Sequence, residues 1–152
     1  MAEVKVDVSI VDNTKAIMEA LDWQVEQALI AIGMTAESYA KLPEGKGGHT
    51  PVDTGRLKNS ITYAIAGQPP NTQSYSADKG DESHSYNGNA PQDKGNKARS
   101  VYIGSNVEYA PMIENGVSGK YTGKHFLRLA ITDHVDEYKK LSEAALKGKS
   151  QV

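Results

Sequence analysis

The residues best equipped for chemistry are four histidines, His49, His84, His125 and His134, and a set of charged groups, Asp53, Arg56, Glu108 and Glu114. A metal site or an acid–base pair needs two or more such groups on one face. His125 and His134 are nine positions apart, about 180° around a helix, so they do not share one. None belongs to a His-Glu-x-x-His pattern. His49 and His84 stand in Gly-rich polar stretches, and a polar residue such as His125 is ordinary where a helix begins. Asp53 reads most simply as a helix N-cap, which accepts an orphan backbone N–H. Glu114, near a helix end, reads as the partner of an Arg or Lys on another element. No Gly-x-Ser-x-Gly elbow occurs, and the Gly-Lys sequences at 45–47 and 119–124 lack phosphate-loop spacing. The chain has no Cys, which excludes a thiolate zinc site, a disulfide framework and a thiol nucleophile. The expectation is a protein that is not an enzyme, with no catalytic, cofactor-binding or metal site.

Composition narrows the classes further. At 152 residues the chain has the size of one ordinary domain and can bury a core without staples. Eight Tyr stand against one Trp and one Phe. A Tyr ring with its polar tip suits half-buried surfaces and interfaces, so the balance leans toward a protein that completes its burial by assembling. The 17 basic and 19 acidic residues leave a net charge of −2, without the basic footprint of a dedicated nucleic-acid binder. Lysines around 79–99 are interleaved with acids and read as a solvated arm. Met1 leads into a charged, alternating segment rather than a signal-peptide core, and no run approaches a membrane span. Cytosolic production and no membrane partner are expected.

These residues must be held by elements whose pattern is visible along the chain. Val4, Val6, Val8 and Ile10 alternate with polar residues and predict a strand over Glu3–Val11. The caps Asp12, Asn13 and Thr14 then open a long helix from about Lys15 to Leu42, stopped by Pro43 and Gly45. Its stripe is Ile17, Leu21, Val25, Leu29, Ile32, Ala36 and Tyr39, on a 3.6-residue period. A second apolar set, Trp23, Ile30 and Met34, lies roughly 100–140° around the axis from Ile17. It either widens the core face beneath the C-terminal helix or meets a neighbouring subunit. A turn at Thr50–Ile61 leads to a strand through Ile61, Tyr63 and Ile65. From Gly67 to about Lys97 no Val, Ile, Leu, Met or Phe occurs, so a flexible polar excursion without secondary structure is expected, with Tyr75 and Tyr86 as its large apolar groups. A strand over Ser100–Ser105, a short helix over Glu108–Gly116 and a final helix from about Phe126 to Lys147 complete the chain. The fold class is α+β: one domain over 1–152, a small, mainly antiparallel sheet packed by a long N-terminal helix and a C-terminal helix, with the excursion between two strands.

Four segments in order carry a resemblance. They are Thr50-Pro51-Val52-Asp53-Thr54-Gly55-Arg56-Leu57-Lys58-Asn59-Ser60-Ile61, then Val101-Tyr102-Ile103-Gly104-Ser105-Asn106, then Tyr109-Ala110-Pro111-Met112-Ile113-Glu114-Asn115-Gly116, and last Lys124-His125-Phe126-Leu127-Arg128-Leu129-Ala130. The order is similar to the phage tail-component family, also called tail-completion or head–tail joining proteins. Members carry a Pro-x-Asp-Thr-Gly-x-Leu turn, a Val-Gly-type strand, a Tyr-Ala-x-x-x-Glu-x-Gly helix and an Arg-Pro-Phe-Leu-like start to the last helix. The likeness covers roughly residues 15 to 146. His125 stands where the family usually has Pro, and the polar excursion is longer than its usual hairpin.

The resemblance implies a structural virion protein of a tailed phage. It would form a homo-oligomeric ring in the neck, join the head connector to the tail and let DNA pass nonspecifically through the lumen. Its partners would be copies of itself and neighbouring connector and tail proteins. Its location would be the virion neck or tail, after assembly in the host cytoplasm. On this reading Asp53, Thr54 and Gly55 fix a turn, and Arg56 pairs with a carboxylate, with Glu114 as the candidate. Leu57 and Tyr109 fill the space between sheet and short helix, and Ala110, Gly116, Phe126 and Leu127 complete the motif. Trp23, Ile30 and Met34 are the candidate subunit interface, and the excursion could reach a neighbouring ring and order on contact. The alternatives are a tail-terminator ring subunit, a small phage nuclease or hydrolase, or a nucleic-acid-binding regulator.

Overall fold

The computed structural model describes residues 13–53, 55–68, 72–75, 86–89 and 99–147. The alternating segment Glu3–Val11 and Thr54 lie outside them. Within them the fold is α+β: a long N-terminal helix, a small antiparallel strand pair and C-terminal helices.

Helix α1 (Thr14–Ala40) runs 27 residues. Its end is closed from a distance, because the buried Thr50 hydroxyl donates to the Ala40 carbonyl. That satisfies one of the acceptors every helix leaves open at its C-terminus. The buried face differs from the predicted stripe. Gln24, Ala28, Gly33, Ala36 and Ala40 are buried. Val25, Leu29, Ile32 and Tyr39 are half-buried, and Ile17 and Leu21 are exposed. Closeness is the cause. A Cβ on Gly33 would lie 2.5 Å from the Tyr63 ring and 3.0 Å from Val101. Small residues occupy the line of nearest approach, and the larger ones flank it.

After the link, α2 (Arg56–Ser60) is a single short helix opened by Gly55 at φ 82°. Asp53 is exposed and is not the capping residue, so that expectation is corrected; Gly55 reaches the left-handed backbone without a Cβ penalty. Strand β1 (Thr62–Ile65) pairs antiparallel with β4 (Val101–Gly104), in the register Thr62↔Gly104 to Ile65↔Val101. Both lie against α1. The excursion is not devoid of secondary structure. Strands β2 (Thr72–Tyr75) and β3 (Tyr86–Asn89) form an antiparallel ladder. A ladder is held by backbone bonds and needs no apolar side chains. The Gln73 amide anchors it by donating to the Ser60 carbonyl at 2.9 Å.

Helix α3 (Ala110–Asn115), with Pro111 in its first turn, leads into the short hairpin β5 (Gly116–Val117) and β6 (Tyr121–Thr122). The single C-terminal helix expected from the sequence is two, α4 (Phe126–Thr132) and α5 (Val135–Lys147). At the break the His134 N–H reaches the Ile131 carbonyl at 3.4 Å, not the Ala130 carbonyl that an uninterrupted helix would offer. The freed Ala130 carbonyl accepts the Tyr138 hydroxyl at 2.6 Å, in the interior. A side chain thus replaces a lost backbone donor.

The core gathers Ala40, Leu57, Ile61, Val107, Ala110, Phe126 and Ala130, with Tyr39, Ile103, Tyr109, Ile113 and Leu127 packed against it. Phe126 is its largest fully buried side chain. Burying it contributes about 2–3 kcal/mol by transfer alone.

Candidate functional site

Two surfaces deserve comparison as sites: the cluster of motif residues around α2 and α3, and the exposed side of α1.

In the motif cluster, the Arg56 guanidinium grips Glu108 with both of its terminal nitrogens, Nη1 to Oε1 at 3.0 Å and Nη2 to Oε2 at 2.9 Å. This corrects the expected Arg56–Glu114 pair. Glu108 directly precedes Tyr109, and its carboxylate is aimed at α2. The same guanidinium lies 5.7 Å from the centre of the Tyr109 ring, within cation–π range. Burial pushes the Tyr109 hydroxyl above its ordinary pKa; Arg56 pulls it down, and Glu108 and Asp53 push it up again. Leu57 and Ala110 are buried and Tyr109 packs on the core. The buried Ser60 hydroxyl donates to the Leu57 carbonyl at 2.7 Å and meets Ser105, whose Oγ accepts the Val107 N–H at 3.2 Å. The turn, the end of β4 and the start of α3 are therefore one hydrogen-bonded unit.

Glu114 serves a different element. Its carboxylate accepts the backbone N–H groups of Leu127 at 2.9 Å and Arg128 at 3.2 Å. A carboxylate there satisfies orphan donors and complements the helix dipole. His125, the residue before α4, has φ 52°. A proline ring is locked near −65°, so the backbone at this position does not admit a proline. Gly116 has φ 81°, and a Cβ on it would lie 2.5 Å from both the Gly123 nitrogen and the Tyr121 carbonyl oxygen. Only glycine fits there. Phe126 and Leu127 follow directly into the core.

As chemistry, the carboxylates are separately engaged: Glu108 holds Arg56, and Glu114 holds the start of α4. An open groove of about 660 Å³ follows the β5–β6 hairpin from Asn115 to His125, and its lining holds no carboxylate. His49 bonds Asp133 at 3.3 Å, and His134 stacks on Tyr39 with ring centres 3.4 Å apart. The Tyr39 hydroxyl donates to Glu137, which raises the hydroxyl's pKa, helped by burial. These contacts tie the 43–50 link and α1 to the α4–α5 break. The sequence had not paired Asp133 or Glu137 with them, because their partners are 84 and 98 positions away. His84 lies outside the described residues. Among the described residues, no group of three or more His, Cys, Asp or Glu is placed to hold a metal. None of the described helices is long and apolar enough to cross a membrane.

On α1, Trp23 and Met34 are 47% and 57% exposed, and Ile30 is half-buried. They lie roughly 140–180° around the axis from Tyr39, which contacts α5 and the break before it. The stripe is therefore turned away from the C-terminal helix and does not widen the face beneath it. Ile17, Met18 and Leu21 add a further exposed group, before the contacts that α1 makes with the strand ends, Arg99 to Asp22 at 3.0 Å and Gln68 to Glu26 at 3.2 Å. No protein-family model, no curated protein and no solved structure matches the chain.

Proposed function

We propose that the protein is a structural subunit of a tailed-phage particle, a neck or tail-completion protein that forms a ring joining the head connector to the tail. The observation that carries this reading is the second apolar stripe of α1, with Trp23 and Met34 about half exposed on the side opposite the C-terminal helix. A subunit that finishes its burial against neighbours leaves such a face open. The order of the four sequence motifs supplies the family, and the near-neutral net charge suits a lumen through which DNA slides without sticking. On this reading the protein acts through shape and contact rather than catalysis, and its place is the virion neck or tail.

The test combines solution mass with particle imaging. A closed oligomer, or density for the chain at the head–tail junction of assembled particles, supports the reading. A strict monomer that never enters particles overturns it. A tail-terminator position would instead place the ring at the upper end of the tail tube in particles that lack heads.

A further inference from the structure

We propose that neighbouring copies in the ring meet head to tail, the Trp23–Ile30–Met34 stripe of one copy lying against the β5–β6 hairpin and the start of α4 of the next. The proposal rests on the ring reading and names the two surfaces that would build it.

The surfaces are complementary in kind. The stripe is apolar and runs beside carboxylates. Glu19, Asp22, Glu26 and Glu37, all the acids of α1, fall within an arc of roughly 60° that adjoins it. Lys15, Arg99 and Lys41 pair with three of them. The Lys15 and Arg99 pairs are well exposed to water and are readily exchanged for a partner's cation. Among the described residues, Glu26 has the Gln68 amide as its side-chain partner. The receiving surface is the more basic of the two. Residues 115–132 hold Lys120, Lys124 and Arg128 and no Asp or Glu, and the Glu114 carboxylate at the start of α4 is taken up by the backbone N–H groups of Leu127 and Arg128. Lys124 is committed to Glu44. Lys120 and Arg128 are exposed, and among the described residues neither side chain forms an ion pair with a carboxylate. Beside them Tyr121 and Ile131 are exposed apolar groups, with Ile131 on the same face of α4 as Arg128 by its three-residue spacing. Tyr and Arg are the residues enriched where proteins meet.

Position favours a contact between unlike surfaces. The hairpin and α4 lie by the C-terminal end of α1, since Lys124 reaches Glu44 and α4 packs on α1. The stripe lies on the opposite side of α1 from Tyr39, so one copy can use both surfaces at once. A contact between unlike patches repeats from copy to copy and closes into a ring when the turn per copy divides a full circle, whereas a stripe-to-stripe contact stops at a dimer.

The absence of Cys makes the test clean. Chains carrying only Met34→Cys are mixed with chains carrying only Tyr121→Cys and treated with a short bifunctional maleimide, in solution and in assembled particles. The expected result is cross-linking in the mixture and in neither chain alone. A charge reversal, Lys120→Glu with Arg128→Glu, is expected to weaken association about tenfold, and Glu26→Lys to restore part of it. Self-cross-linking of Met34→Cys would overturn the head-to-tail contact in favour of a two-fold pairing. An oligomer of ring mass that cross-links in no mixture would overturn the contact and leave the ring reading standing. A monomer absent from particles would overturn both.

Discussion

The two ends of α1 live in different surroundings. Around its C-terminal turns, Ala36 and Ala40 are buried and Thr50, Ile61 and Phe126 lie within reach of no solvent. Around its N-terminal turns, Ile17, Met18, Leu21 and Trp23 are all about half exposed. One helix therefore contributes a fold-making end and an apolar end that stays about half exposed. Large apolar side chains alone do not reveal which is which. The tight end is lined with alanine and glycine, because close approach rather than bulk holds it together.

The contrast is sharpened most by Phe126→Ala. Truncating the largest buried side chain should cost about 3–5 kcal/mol in denaturant unfolding; a loss below 1 kcal/mol would show that the core is not centred there. Next comes Arg56→Ala, expected to cost about 2 kcal/mol by removing a bidentate charged bond and the ring contact on Tyr109. Arg56→Lys should recover little, since a single ammonium cannot span both oxygens. Unchanged folding and assembly of Arg56→Ala would remove Arg56 from the structural motif.

The α4–α5 break gives a pH readout. Burial pushes the Tyr138 hydroxyl up to about 12 from an ordinary 10.0, and the charges of Tyr39 and Glu137 add to the rise. The folded chain keeps a proton that the unfolded chain releases, so this contribution is complete below pH 10 and is lost as pH climbs from about 10 to about 12. Tyr138→Phe should cost about 1 kcal/mol at neutral pH and flatten that alkaline decline; an equally steep decline would assign it to other groups. Glu114→Ala should cost about 1 kcal/mol by uncapping α4, with Glu114→Gln intermediate in thermal unfolding. Smallest of all, Trp23→Ala should shift stability by no more than about 0.5 kcal/mol while weakening self-association. A large fall in stability would place Trp23 with the core instead.

Much of this was readable in advance. The long helix and the strand pair around Ile61–Ile65 and Ser100–Ser105 follow from period, and the motif places Leu57 between sheet and short helix, while the burial of Ala110 and Phe126 is not marked by either. The partner of Arg56 was not readable, because Glu108 and Glu114 stand at either end of the same short helix and sequence spacing favours neither. The buried side of α1 was misjudged because periodicity weighs Ile17 and Leu21 above Ala28 and Gly33. The helix break at Asp133–His134 carries no Gly or Pro to announce it. Its stability comes from a Tyr138 hydroxyl that any regular helix would also tolerate. The β2–β3 ladder escaped notice because composition reports what can be buried, not which backbones can pair.

The near contact at Gly33 has a mechanical consequence. At this glycine the helix backbone itself meets the Tyr63 and Val101 side chains, so a single layer of side chains is all that can yield between helix and strands. That point is a fulcrum. About 29 Å of helix separates it from the start of α1 at Thr14, braced on the way by Asp22 and Glu26 against the strand ends, so a push at that end would be passed on to the strand pair as a tilt.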